Sequence, residues 1–397
     1  GRAGSTRVGL ASIQLALAML LLSASTLVVK SFVRILDVEP GIQPAHLLTV
    51  QLTLPGARYD SLKSTLFYGE LTHRLHAVPG VLAVATTSLI PFGGDFDRVG
   101  ISKIAGQPDR IGADVAKADR YVVSPSYFST MGVHLVRGRL FGNSDRISTP
   151  SVCVIDTVFA RRTFGARDAI GQRMQIPGTL RGHEQFTTVI GLVAHVKTYG
   201  LDVASPGQVY LTTDQYPWRW SSLVVRTVGD PLAFAPTLAS VVHQLDADQP
   251  VAEVASMDDL MFDLMRGRRF TLALLGAFAT VAILLAAVGL YGVIAHGVSQ
   301  RRRELGVRVA LGAQRGQVAR MVLGEASRIA LAGIAIGTVA ALAAGHILSS
   351  LLFEVSPHDS AVLAGVALML LGVALIACLV PARRATQVDA MEVLRGA

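Results

Sequence analysis

Four stretches of the chain carry no Asp, Glu, Lys or Arg and are long enough to cross a bilayer. They are Val8 to Val29, Phe270 to Gln300, Ile329 to Phe353 and Ser360 to Ala382. A spanning helix needs roughly 20 mostly apolar residues. Such a run in lipid must be helical, because a lone strand leaves its backbone groups unpaired. Four runs in a chain of mean hydropathy +0.48 predict a membrane protein with four transmembrane helices.

The polar stretch from about residue 31 to 267 follows different periods and is large enough for its own core. Leu47 to Leu54 and Val81 to Ser88 read as strands, and Ser61 to Val78 as an amphipathic helix stopped at Pro79-Gly80. The pattern returns near the other end. Leu223 to Thr227 and Val251 to Val254 read as strands around a helix from Pro231 to Leu245. Two β-α-β units therefore flank an insertion at about 89–222, expected to be mainly β, with strands at Ser151 to Ile155, Phe186 to Val193 and Gln208 to Thr212. The fold expected is a large α+β extracytoplasmic domain between the first and second spans. From Ser256 to Phe270 the sequence is helical in character and leads into the second span. It is either one stiff helix or a helix broken at Gly267.

Charge sets the orientation. Residues 1–7, 297–320 and 383–397 carry +2, +5 and +1, the whole formal charge of +8. Lys and Arg collect on the cytoplasmic side. Both termini and the 301–320 segment are thus expected in the cytoplasm, and 31–267 outside. The basicity follows from topology and gives no support to nucleic-acid binding. The first run is longer than a signal-peptide core and lacks a small-x-small cleavage site, so it reads as a retained anchor. The chain opens on Gly, which suggests numbering that begins inside a longer protein.

Candidate chemistry is sparse. The sequence has no Gly-Lys pair, hence no Walker-type phosphate loop, and no Cys-x-x-Cys or Gly-x-Ser-x-Gly. His183-Glu184 lacks the second His of a zinc-protease helix. His195 has no evident partner in sequence. Cys153 and Cys378 form no disulfide framework. The apolar runs hold no formal charge, only His296 and His346 toward their ends, which disfavours a proton-driven pump. No catalytic, cofactor-binding or metal-ligating residues are expected. Gly333, Gly337, Ala341 and Gly345 recur every four residues on the third run, a face on which another helix of this chain or of a second copy can approach closely.

The segment between the second and third runs, Ser299 to Ala313, is short, basic and helical in character. Glu304 precedes Arg308 by four residues, the favourable order for a helical ion pair. Leu305, Val309 and Gly312 share one face, and Arg301, Glu304 and Arg308 another; Gly312 ends the helix, with Ala313 to Gly316 as a turn. Such a helix either rests on anionic headgroups or docks a partner.

Arg301-Arg-Arg-Glu-Leu-Gly-Val-Arg-Val-Ala-Leu-Gly-Ala313 resembles the signature of FtsX-like permease domains, and Pro381-Ala-Arg-Arg-Ala-Thr-Gln-Val-Asp-Ala-Met-Glu-Val-Leu-Arg395 resembles their closing motif, with Ala390 where Pro is usual. Arg34 to Gly41, Val122 to Phe128 and Gly138 to Phe141 resemble the MacB-type periplasmic core domain. Ala287 to Val293 and Ser349 to Pro357 resemble the second half of duplicated permeases of acidobacteria. The resemblance implies a permease subunit of an ABC-type transporter in a bacterial inner membrane. It implies a cytoplasmic ATPase that carries ATP and Mg, a second permease half (a second copy or a missing N-terminal half), and transmission of ATP-driven closure to the outer domain. It also implies a coupling role for Arg301, Arg302, Arg303, Glu304, Gly306, Arg308 and Gly312. The alternative is a membrane-anchored binding or sensor protein without an ATPase. An enzyme of the outer domain has no constellation behind it. No residue pattern selects among the macrolides, lipoproteins, peptides and cell-wall hydrolases handled by relatives.

Overall fold

The computed structural model describes residues 2–178, 185–218, 220–301, 304, 308, 314–348 and 352–386. Two compact units emerge, one of residues 38–266 and one of residues 1–37 with 267–397.

The unit 38–266 is α+β, and its described residues build one eleven-stranded sheet. Its first part contains β1 (Leu47–Leu52), α2 (Ser61–His76) and β2 (Val81–Thr87), then at the far end of the sequence β10 (Ser221–Thr227), α5 (Ala235–Leu245) and β11 (Ala252–Ser256). The two expected β-α-β units are interlocked. The strand order is β11-β1-β10-β2, with β10 antiparallel to both β1 and β2. Each unit is thus split by a strand of the other. Leu48, Val50, Leu223 and Val225 from the strands meet Leu71, Leu75, Leu238 and Val242 from the helices in one buried cluster. The local signals are ordinary: Asp60 caps α2 by accepting from the Lys63 amide at 2.7 Å.

The insertion does not form a separate sheet. Its strands extend the same sheet in the order β2-β4-β9-β6-β8-β5, and two short strands flank this path. These are β3 (Arg98–Ile101), β4 (Ala116–Val123), β5 (Leu135–Gly138), β6 (Val152–Asp156), β7 (Arg173–Gln175), β8 (Phe186–Val193) and β9 (Gly207–Thr212). It also holds the short helices α3 (Tyr127–Met131) and α4 (Thr157–Phe164), while most of its regular structure is strand. A second core gathers Ile101, Val122, Ile155, Phe159, Val189 and Val209.

The seam between the two lobes is narrow. β2 and β4 share one register pair, Thr87 with Val123. Side chains complete it: the Val122 amide donates to Ser88 Oγ at 2.9 Å and the Thr86 amide to Ser124 Oγ at 3.0 Å.

The other unit is helical. α1 is Arg2–Leu36, α6 is Met257–Gln300, α7 is Arg315–Leu348 and α8 is Ser360–Thr386. All four are long and apolar enough to cross a membrane. Leu15, Met19, Leu290, Ile334, Leu370 and Cys378 share one buried cluster. Several boundaries differ from the sequence expectation. α1 runs past Val29 through Lys30 and Arg34. α7 starts fourteen residues before Ile329 and takes in Arg320, Glu325 and Arg328, while Leu352 and Phe353 lie outside it. A charge-free run measures what lipid tolerates, whereas a helix ends where its backbone bonds end. α6 is one helix through Gly267, which removes the expected alternative of a break there. Ser256 starts it: its Oγ accepts from the Asp259 amide at 3.0 Å, and the Asp259 carboxylate returns to Ser256 Oγ at 2.6 Å.

Candidate functional site

Arg301 follows α6 directly and places Nη1 3.3 Å from Glu325 Oε2 on α7. Arg308 donates from Nη2 to Glu304 Oε1 at 2.7 Å, the pair read from the sequence, and its Nη1 lies 3.0 Å from Met321 Sδ. Gln314 and Gln317 close the start of α7, with the Gln314 amide donating to Gln317 Oε1 at 3.2 Å. Arg301 and Arg308 therefore both reach side chains on the first turns of α7, which the apolar run alone did not include. All four ion-pair side chains are about half exposed. Exposed pairs of this kind contribute about 0–1 kcal/mol. They leave the charges of Arg301 and Arg308 open to solvent. Arg302, Arg303, Gly306 and Gly312 lie outside the described residues, as do Ala390 and Arg395 of the closing motif.

Gly333 and Gly337 turn toward α1 of the same chain. A Cβ on Gly333 would lie 2.7 Å from Leu15 Cβ, and one on Gly337 would lie 2.6 Å from Met19 Cβ. Ala341 is buried, and the position of a Cβ on Gly345 is 3.2 Å from Pro357 Cβ in the connection to α8. This connection is also tied to α1: Lys30 pairs with Asp359, and Ser31 Oγ accepts from the Phe353 amide at 2.8 Å. His296 is exposed on α6, and the His346 side chain lies outside the described ones. Gln14 in the first span is uncharged and polar, and its carboxamide oxygen is buried with no hydrogen-bond partner among the described residues.

His195 has partners that the sequence did not disclose. Its Nδ1 meets Asp156 Oδ2, and its Nε2 lies 3.2 Å from Ser205 Oγ. The order Ser-His-Asp has the connectivity of a nucleophilic triad. The surroundings favour a clamp. Ser205 is only 3% exposed and Asp156 is fully buried. The remaining Asp156 oxygen accepts from the Phe159 amide at 2.7 Å and the Gln208 amide at 2.9 Å, capping α4 and fixing β9. Gly41, in the motif that resembles the periplasmic core domain, passes over this clamp. Its φ is +81°, and a Cβ there would sit 2.1 Å from the His195 carbonyl oxygen.

A family model for the MacB-like periplasmic core domain matches residues 15–256, more than half of the chain. A model for the FtsX-like permease C-terminal matches residues 276–390. A probable export ATP-binding/permease protein of Pseudomonas fluorescens is 29% identical over 294 residues, which is 68% of this chain and 42% of that protein. The uncharacterized ABC transporter permease YknZ of Bacillus subtilis is 22% identical over 280 residues, 69% of this chain and 68% of that protein. The chain thus spans under half the length of some of the curated relatives it matches. Among solved structures, the periplasmic region of MacB from Actinobacillus actinomycetemcomitans is 15% identical, with a TM-score of 0.39; the match covers 58% of this chain and 97% of that one. With both family models matched in the order of the two units they describe, the chain belongs to the MacB-like, FtsX-like ABC transporter permease family.

Proposed function

We propose that this chain is a transmembrane subunit that couples ATP hydrolysis in a cytoplasmic ATPase to movement of its own α+β domain, in export or in mechanical work on a partner outside. The observation that carries this reading is the set of half-exposed charged side chains after α6, with Arg301 paired to Glu325 on α7 and Arg308 paired to Glu304. The match of the FtsX-like permease model across the basic segment supports it. The sequence lacks a phosphate-binding loop, so ATP and Mg would be held by the ATPase, as a separate chain or elsewhere in a longer protein. Both termini and the basic segment would face the cytoplasm by the distribution of Lys and Arg, and residues 38–266 the outside. A second permease half would complete the assembly. The unbroken α6 fits the task, since a continuous helix passes displacement along its axis where a hinge would absorb it.

The test is purification of the chain with its ATPase from native membranes and measurement of ATP hydrolysis with Arg308→Glu. The expected outcome is loss of the chain-dependent part of the ATPase rate, with the purified complex and its melting temperature retained. A variant that stimulates hydrolysis normally overturns the coupling role.

A further inference from the structure

Along the seam of the α+β unit lies a cleft of about 290 Å³. One wall is α2 with the ends of β2 and β10; the other is the turn after β4 and the turn after β9. Pockets of this size favour such junctions between lobes. The chemistry of the lining is unusual for a surface fold. Eight of its twelve residues carry hydroxyls, Trp218 supplies an aromatic surface, and Asp214 is the one formally charged group.

Several of these hydroxyls are already spent. Tyr68 Oη bridges the Leu52 and Ser221 carbonyls at 2.8 Å each, and Ser124 and Ser126 serve the seam. Thr86, Thr213 and Ser221 are different. Their hydroxyls make no hydrogen bond among the described residues, although Thr86 and Ser221 are only 4% and 5% exposed. Asp214 stands at the rim with no ion pair among the described residues. Burial pushes its carboxyl up from the ordinary value, with Arg146 pulling down and Asp145 adding to the rise. Asp214 is exposed at the cleft mouth, and an unpaired carboxylate there attracts a cation. Free hydroxyls gain from a ligand that both donates and accepts. An aromatic wall takes the apolar face of a ring.

We propose that this cleft binds a small hydroxylated amine, of the size and chemistry of an amino-sugar unit, with its ammonium group on Asp214 and its hydroxyls on Thr86, Thr213 and Ser221. Because both lobes contribute to it, an occupied cleft would bridge a seam that otherwise has a single strand-register pair. The site involves neither nucleotide nor the basic segment, so its failure would leave the coupling role untouched.

The chain supplies its own reporter. Its two tryptophans are Trp218 and Trp220, with ring centroids 6.2 Å apart. The full chain in nanodiscs, without nucleotide and near neutral pH, is titrated with glucosamine and with glucose while tryptophan emission is recorded. The expected result is a saturable change with glucosamine at concentrations roughly tenfold lower than with glucose, the size of a charge-assisted hydrogen bond. Asp214→Asn should remove that preference, and Ser221→Ala should weaken both sugars alike. Trp220→Phe should leave the signal, since Trp218 lines the cleft. No saturable change with glucosamine, or an undiminished preference in Asp214→Asn, overturns the proposal.

Discussion

Gly337→Ala tests the packing of the membrane unit where α7 approaches α1 most closely. The new methyl carbon would stand 2.6 Å from Met19 Cβ, 2.7 Å from the Ala16 carbonyl oxygen and 2.9 Å from Ala16 Cα. Carbon atoms rest at about 3.5–4.0 Å, so α1 and α7 must separate by about 1 Å. Two of the three opposing atoms are backbone, so no rotamer change relieves the clash. A gap of that size forfeits a quarter to a half of the dispersion well for each contact along the crossing. In lipid this loss is not offset by hydrophobic burial, because the tails are as apolar as the partner helix. Overpacking of this kind costs about 1–3 kcal/mol. Gly324→Ala on the same helix is the control, since a Cβ there meets nothing within 4 Å. It should be neutral or gain up to about 1 kcal/mol from helix propensity. The assay is equilibrium unfolding of the full chain in mixed micelles with rising SDS, followed by far-ultraviolet circular dichroism. If the two variants unfold at the same SDS fraction, close approach of α1 and α7 is not what holds this unit together.

Three further outcomes are expected. Gly41→Ala combines a φ of +81° with a Cβ 2.1 Å from the His195 carbonyl, and should lower stability by about 1–3 kcal/mol in the same unfolding assay. Asp156→Ala removes the His195 contact and the α4 cap together, for a loss of about 2–4 kcal/mol, whereas Asp168→Ala, on an exposed pair, should cost under about 1 kcal/mol by the same measurement. Arg139 holds the Asp145 carboxyl below the ordinary carboxylate value, first through its hydrogen bond. A folded pKa below the unfolded one gives stability that is present above the unfolded value and is lost as pH falls through the folded one. Melting temperatures should therefore fall below about pH 4, and Asp145→Asn should flatten that part of the curve.

The sequence disclosed local structure well and partnership poorly. Strand β8 has the bounds Phe186–Val193 read from the sequence, because a strand's residue preferences lie in neighbouring positions. α2 and its stop at Pro79-Gly80 were legible for the same reason, since cap and breaker lie beside the helix they bound. The start of α7 was not, because Arg320, Glu325 and Arg328 ended the apolar run while the backbone stayed helical. His195 looked solitary because Asp156 and Ser205 reach it from the ends of other strands. The cleft at the seam draws on five separate segments, and Asp214 within any one of them is an unremarked acid. Of the basic segment, the Glu304–Arg308 spacing was visible as a helical pair, whereas Arg301 finding Glu325 on the next helix was not.

The interlocked sheet places a constraint on how this unit can assemble. β1 and β2 read as neighbours in one β-α-β unit, yet β10 stands between them and bonds to both. Until the chain has been made through Thr227, the first lobe lacks its central strand, and the apolar sides of Val50, Val84 and α2 have no Leu223 or Val225 to cover them. The intervening strands can pair earlier, since β4 with β9 and β6 with β8 close within the insertion. Contacts of long sequence separation carry the larger loop-closure cost. Closure of the insertion shortens the effective loop between β2 and β10, so the second core lowers the entropic cost of completing the first. The seam is thus where a lobe whose strands can close within the insertion meets one that needs β10, and its strand pairing is the single register pair of Thr87 with Val123.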